Sequence, residues 1–261
     1  MPNTDSGLQN NKDMHVMSAK KLIAHKLRIR QKVFLRRLYT DFYLEFIRVS
    51  VPEGRRVELG SGQGFIKQIV PHAVTSDVVA GPDIDQVFSA EKMPYANASV
   101  SAFFMLNVFH HLKGPEKALT EMSRCLKVGG KVVMIEPYAS FWGKLIYKYV
   151  HHERYAETKH WQVKGADPLA DSNLALPWMI FVRDRKVFEM RYPQLRINSQ
   201  RPHTPLRYLI SGGLTQWQFF PSAGYQLVAQ IEKLLTALHP YIGMFTTIEL
   251  EKIGKRRYQK R

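Results

Sequence analysis

The sequence has a single cysteine, Cys125, in 261 residues. That excludes an internal disulfide and any CxxC metal site, and it suits a reducing compartment. No uninterrupted apolar run reaches the roughly 18 residues that a membrane-spanning helix requires. The opening residues, MPNTDSGLQNNKD, are polar and lack the apolar segment of a secretory signal. Internal repeats and low-complexity tracts are absent. The expectation is a cytoplasmic protein, soluble or peripheral to a membrane. Acids are scarce: 22 Asp and Glu stand against 38 Lys and Arg, a net charge of +16. Such an excess favours contact with something anionic, whether nucleic acid, an acidic lipid surface or an acidic substrate. Charge alone does not choose among these.

The length allows one large α/β domain or two small ones. Residues 1–17 read as disordered. From Met17 to Val49 apolar residues recur at helical spacing, among them Leu27, Phe34, Leu38, Phe42 and Phe46. The first half of that helix is heavily basic, with Lys20, Lys21, Lys26, Arg28, Arg30, Lys32, Arg36 and Arg37. It either packs on the core with a solvated basic face or rests on an anionic membrane or lipid-linked substrate. From Pro52 strands alternate with helices: strand 55–59, a turn at 60–64, helix 64–70, strand 73–76, a short strand at 85–88, strand 100–106, helix 115–127 and strand 131–136. This pattern predicts a parallel sheet. Gly129 and Gly130 read as the stop of the preceding helix. Residues 138–205, rich in aromatics, His and Pro, break the alternation. A helix over 221–239 and a terminal strand over 241–252 follow. Four regions result: 1–50, a disordered start and basic amphipathic helix; 51–138, the ligand-binding core; 139–205, an insertion read as a substrate cap; and 206–261, the rest of the core with a frayed basic tail.

The stretch VELGSGQGF at 57–65 has glycines at 60, 62 and 64. A dinucleotide turn of the form G-x-G-x-x-G needs glycine where Phe65 stands, and a phosphate-binding loop needs a GK[ST] ending that GQGF lacks. Two acids flank the turn: Glu58, and Asp77 at the end of the second strand. Parallel sheets bind ligands beyond the carboxyl ends of their strands, so both acids and the turn point into one crevice. A carboxylate at Asp77 can accept both hydroxyls of a ribose. A second one at Glu58 suits an ammonium and a sulfonium and not a pyrophosphate. These features favour S-adenosylmethionine.

The segments VELGSGQG (57–64), SAEKMPYANASV (89–100), MLNVFHHL (105–112) and PEKALTEMSRCLKVGGKVVMIEP (115–137) resemble the class I S-adenosylmethionine-dependent methyltransferases. The resemblance is to the small-molecule branch that includes the ubiquinone/menaquinone C-methyltransferases, and it covers about residues 55–138. It implies a Rossmann-like three-layer α/β sandwich, with a mostly parallel seven-stranded sheet and an antiparallel C-terminal strand. It implies that Gly60, Ser61, Gly62 and Gly64 line the methionine end of the cofactor and that Asp77 holds the ribose. The Ser89-Ala90-Glu91 turn would face the adenine, and Asn107 would lie beneath the sulfonium. Ser89 stands where the family usually has Asp, so a carboxylate on the adenine amine is missing unless Glu91 substitutes. The segment HTPLRYLISGG (203–213) resembles a subfamily feature without assignable chemistry.

Methyl transfer from a sulfonium needs positioning, exclusion of water and, for a hydroxyl or acidic carbon, a base. His110 and His111, just past the fourth strand, are the candidate bases, or else one of them caps the following turn. The block YVHHERYAETKHWQ (149–162) offers His151, His152, Glu153, His160 and Trp161. HHE is not H-E-x-x-H, and adjacent helical residues do not share a face, so no metal is expected. His152 or Glu153 is read instead as contacting the acceptor, or the block as a polar surface helix. Cys125 reads as a buried thiol, which leaves no pair of reactive cysteines for cytosine methylation. EPY at 136–138 resembles the [DN]PPY of amino-group methylases but follows the wrong strand. The expected acceptor is a small or lipid-linked molecule. The alternative is an RNA methyltransferase or basic RNA-binding protein, and a non-catalytic partner that uses the fold as scaffold is the third reading.

Overall fold

In β4 (Val100–Leu106) alternate side chains enter opposite cores. Phe103 and Met105 face one, and Ala102, Phe104 and Leu106 face the other. The same period of two divides β5 (Leu126–Pro137), where Val132 and Met134 lie on the first face and Val133 and Ile135 on the second. Strands buried on both faces are what a sheet sandwiched between helices requires. The computed structural model describes residues 23–62, 65–163, 165, 171–215 and 217–254. The expected disordered start and basic tail lie outside the described residues, as do Lys20 and Lys21.

Seven strands form one sheet in the order β3-β2-β1-β4-β5-β7-β6. β1 (Arg55–Leu59), β2 (Ala73–Asp77), β3 (Gln86–Val87), β4 and β5 run parallel. β7 (Phe245–Lys252) is antiparallel to β5 and to β6 (Leu195–His203). This is the Rossmann-like sandwich, with its order reversing between β1 and β4. Connections leave in opposite directions there and open a crevice at the strands' carboxyl ends.

One face is covered by α2 (Val33–Ile47), which buries Phe34, Leu35, Leu38, Tyr39, Phe42, Tyr43 and Phe46. Their spacing of three and four residues is the apolar stripe of a core-facing helix. α4 (Phe141–Tyr149) adds to this core, capped by Ser140, whose hydroxyl accepts the Gly143 N–H at 2.9 Å. The other face is covered by α3 (Pro115–Cys125) and by α5 (Leu176–Trp178), which runs through a π-helical turn at Met179–Arg183 before α6 (Arg185–Arg191). Cys125 is a buried thiol in that layer.

Four local expectations change. The long basic helix breaks at Lys32, whose backbone is extended (φ −88°, ψ 94°), so α1 (23–31) is separate from α2. The helix expected over 64–70 is a 3-10 turn at Ile66–Gln68, with Pro71 close behind. Gly129 and Gly130 do not stop a helix. β5 already begins at Leu126, paired with Val100, and its next partner pair is Lys131 with Ala102. The intervening bulge needs Gly129 at φ +79° and leaves no room for a Cβ at Gly130, which would stand 2.9 Å from the Lys127 carbonyl oxygen. Finally, the 139–205 segment contributes β6, so its last residues belong to the sheet. The helix over 221–239 is α8 (Tyr225–Leu234), with 3-10 turns on either side, and α7 (Arg207–Ile210) precedes it. α9 (His239–Ile242) leads into β7. Among the described residues no helix is long and apolar enough to cross a membrane.

Candidate active site

The turn after β1 is bolted to β2. Ser61 donates its N–H to the Ser76 carbonyl at 2.8 Å and accepts the Ser76 N–H on its hydroxyl at 3.1 Å. Asp77 accepts the Gly62 N–H at 3.0 Å on one carboxylate oxygen and those of Val78 and Val79 at 2.7 and 3.3 Å on the other. Gly60 has φ +66°, and a Cβ there would lie 2.6 Å from both γ-carbons of Val108. The turn therefore tolerates neither a side chain nor an ordinary backbone at this position. Burial raises the Asp77 carboxyl's pKa, and the three backbone N–H groups oppose that rise.

A cavity of about 430 Å³ opens at the switch between β1 and β4. Of the residues expected to hold the cofactor, Gly60, Gly62, Asp77, Ala90, Glu91 and Asn107 line it. Glu58 and Ser61 are buried behind the turn instead. Gly64 lies outside the described residues. Glu58 is pushed up to about 8 by burial, which outweighs hydrogen bonds from Ser61 and Tyr43. One of its oxygens, Oε2, is buried without a partner, and so is Oδ1 of Asn107. Asn107 adopts φ +56° at the end of β4, a conformation that asparagine accepts more readily than most residues. Glu91 is partly committed, accepting the Gly114 N–H at 2.7 Å. The unsatisfied Oδ1 of Asn107, in a cavity lined by a glycine turn without room for side chains, fits a ligand with hydroxyl and ammonium donors, as S-adenosylmethionine has.

The other half of the cavity is built from segments far apart in sequence. Glu136, at the end of β5, is fully buried and accepts the N–H groups of Val108 and Phe109 at 2.8 Å each. That fixes the 3-10 turn Phe109–His111. The same carboxylate takes Nδ1 of His110 at 2.7 Å, and Nε2 of His110 lies 3.3 Å from Oε2 of Glu153. Burial would lower the His110 pKa, but Glu136 and Glu153 overcome it and carry it to about 9. Both ring nitrogens then carry protons toward carboxylates, so His110 as it stands has no lone pair with which to act as the expected base. His111 differs. Its Nδ1 donates to the Asp171 carbonyl at 3.0 Å, while burial and the neighbouring His110 lower it to about 4, leaving Nε2 as an acceptor. Donor atoms of His110, His111 and Glu153 all lie within 4.8 Å of one another.

Of the histidine-rich block, His151 and Glu153 line the cavity, whereas His152 and His160 are exposed. Trp161 is a core residue bonded to Asp184 at 2.7 Å. Sequence reasoning missed Glu136, together with Tyr39, Tyr147 and Tyr208, which form an aromatic wall. Glu136 had one signal, an acid at the carboxyl end of a parallel strand. The wall had none, because its members come from α2, α4 and α7. The roof is α1, whose His25 enters the cavity lining. Lys26 pairs with Asp83, Arg28 donates to the Leu214 carbonyl at 2.6 Å, and Lys32 donates to the Gly213 carbonyl at 2.7 Å.

Residues 57–134 match the family described as methyltransferase domain. Among solved structures, a chain of the complex between the Haloferax volcanii Trm112 methyltransferase activator and a methyltransferase is similar over 92% of this chain and 98% of its own. The identity is 13% and the TM-score 0.54. A methyltransferase from Thermotoga maritima is 15% identical over 80% of this chain and 87% of its own, with a TM-score of 0.48. Geranyl diphosphate C-methyltransferase from Streptomyces coelicolor A3(2) is 13% identical over 84% and 78%, with a TM-score of 0.46. No curated protein matches significantly. Residues 57–134 are an S-adenosylmethionine-dependent methyltransferase domain, and S-adenosylmethionine is its cofactor.

Proposed function

We propose that the protein methylates an ionisable hydroxyl, phenolic or enolic, on a small and mainly apolar molecule. The observation that carries this reading is a single cavity with two unlike ends. The glycine turn and Asp77 form one end, and His110, His111 and Glu153, walled by Tyr39, Tyr147 and Tyr208, form the other. Bound at the turn, S-adenosylmethionine supplies a methyl group activated on a sulfonium. Asp77 accepts the ribose hydroxyls, the bare backbone of Gly60 and Gly62 lets the methionine part approach, and Ala90 and Glu91 flank the adenine. Asn107 lies between the two ends. The aromatic wall holds the apolar body of the acceptor, and the His–Glu cluster holds the acceptor oxygen and promotes loss of its proton.

The basic N-terminal helix gives less support to an RNA or membrane reading than its composition suggests. Lys26, Arg28 and Lys32 engage Asp83, Leu214 and Gly213 of the same chain, and Arg37 reaches the Ser222 carbonyl at 3.3 Å. The discriminating experiment supplies methyl-labelled S-adenosylmethionine to the protein with two acceptor pools, a small-molecule extract and total RNA. Label is expected in the organic-soluble fraction. Label in RNA, with binding that falls steeply as salt rises, would overturn the reading in favour of the RNA enzyme. In the productive pool Glu153→Gln is expected to lower turnover on the order of 100-fold. Calorimetry should show its cofactor affinity unchanged within about twofold.

A further inference from the structure

His110 and His111 share an arrangement that the methyl-donor site does not explain. Each donates Nδ1–H to a fixed acceptor behind it, His110 to the Glu136 carboxylate at 2.7 Å and His111 to the Asp171 carbonyl at 3.0 Å. Each therefore turns Nε2 away from its anchor. A carboxylate from another segment, Glu153, reaches the pair: one ring nitrogen of each histidine and one Glu153 oxygen lie within 4.8 Å of one another. Histidines that ligate metals characteristically donate the other ring N–H to a carboxylate or a backbone carbonyl. Both forms of that outer support are present side by side. Ser172 adds a third, donating its hydroxyl to Oε2 of Glu153 at 3.2 Å.

We propose that His110 Nε2, His111 Nε2 and the Glu153 carboxylate form a site for one divalent transition-metal ion, zinc by preference. Two imidazoles and a carboxylate suit zinc, whereas magnesium and calcium favour all-oxygen shells. Two donors about 2.1 Å from an ion at a tetrahedral angle are about 3.4 Å apart. His110 Nε2 and Glu153 Oε2 stand 3.3 Å apart. The ion takes the position of the proton now shared between those two atoms, so its binding releases a proton. Three protein ligands leave a coordination position open. All three residues line the cavity, so that position faces the acceptor end.

This inference rests on the proposed methyl transfer and deepens it by naming how the acceptor oxygen is activated. The hydroxyl binds in the open position, its O–H bond ionises on the metal and the proton passes to water. The oxygen then forms the new O–CH3 bond as the S–CH3 bond breaks, leaving S-adenosylhomocysteine. Histidine-block residues 151–153 alone do not make this site; of them, only Glu153 joins the cluster.

The test needs no acceptor. Full-length protein stripped with a chelator is titrated with Co²⁺, a coloured substitute for zinc, and visible absorption is recorded. One equivalent is expected to give the ligand-field bands of a low-coordinate site, which added Zn²⁺ should abolish. Glu153→Gln and His111→Ala are each expected to weaken Co²⁺ binding on the order of 100-fold, and His160→Ala to leave it unchanged. S-adenosylhomocysteine binding by the same variants reports whether they are folded. Wild-type protein that binds S-adenosylhomocysteine but shows no saturable site for Co²⁺ would overturn the metal. So would folded Glu153→Gln and His111→Ala variants that bind the ion as tightly as wild type. Failure to bind S-adenosylhomocysteine would instead count against the cofactor assignment, whatever the metal result.

Discussion

Asp77→Ala is expected to weaken S-adenosylmethionine binding on the order of 100-fold. Two ribose hydroxyls donating to a charged carboxylate contribute about 1.5 kcal/mol or more each, and about 1.4 kcal/mol is a factor of ten in affinity. The same substitution frees the Gly62 N–H, which Asp77 holds at 3.0 Å, so the turn loses its anchor as well as its ligand contact. Stability should fall as well, because the N–H groups of Gly62, Val78 and Val79 lose their acceptor, and the relief of a buried charge offsets only part of this. Burial works against the charged carboxyl at this position, and removing it also removes that cost. Calorimetric titration of wild type and variant with S-adenosylhomocysteine, beside their thermal unfolding, separates the two effects. An affinity within about threefold of wild type would sink the ribose assignment. Asp77→Asn keeps one acceptor oxygen and should fall between the two.

The second large effect concerns stability. Arg207, on α7, donates to Glu232 on α8, to Asp41 on α2 at 2.6 Å and to the Tyr225 hydroxyl at 2.8 Å. The Glu232 side chain is only 3% exposed and also accepts the N–H groups of Leu206 and Arg207. Arg207→Met removes the cation and leaves the carboxylate buried. Breaking such a pair from one side costs about 3–5 kcal/mol, whereas replacing both partners costs far less. Urea unfolding of Arg207→Met should show a loss of that size, and Glu232→Gln in the same chain should recover part of it. A loss below about 1 kcal/mol would mean that water reaches Glu232. The stretch HTPLRYLISGG, without chemistry in the sequence, thus gains a structural role. It holds the three helices together and supplies Tyr208 to the cavity wall.

Legibility in the sequence followed locality. β1, β2, β4 and β7 were readable because each sets β-branched or aromatic residues close to turn-forming ones. β6 was not: only Leu195 and Ile197 in it are buried, and the rest, through Asn198, Gln200 and Arg201, is the polar face of an edge strand. The cofactor end was readable for the same reason, since the glycine turn and Asp77 lie on two consecutive strands. The acceptor end was only half readable. His110 was visible as a histidine past a strand, but its protonation is set by Glu136 and Glu153, which reach it from other segments. Glu58 shows the converse: an acid beside the turn was expected to face the ligand, yet its side chain turns inward toward Tyr43, where burial raises its pKa.

The roof of the cavity sets a clock as well as a boundary. α1 is held to Asp83 on one side and to the Gly213–Leu214 backbone on the other by contacts of three cationic side chains. Such contacts at a partly exposed surface are worth at most about 1 kcal/mol each and weaken with salt. Ile29 also anchors α1 in the core, so the polar contacts are one part of what lifting the roof must break. Where product escape limits turnover, ionic strength then speeds the cycle by loosening the roof, with the reacting groups untouched.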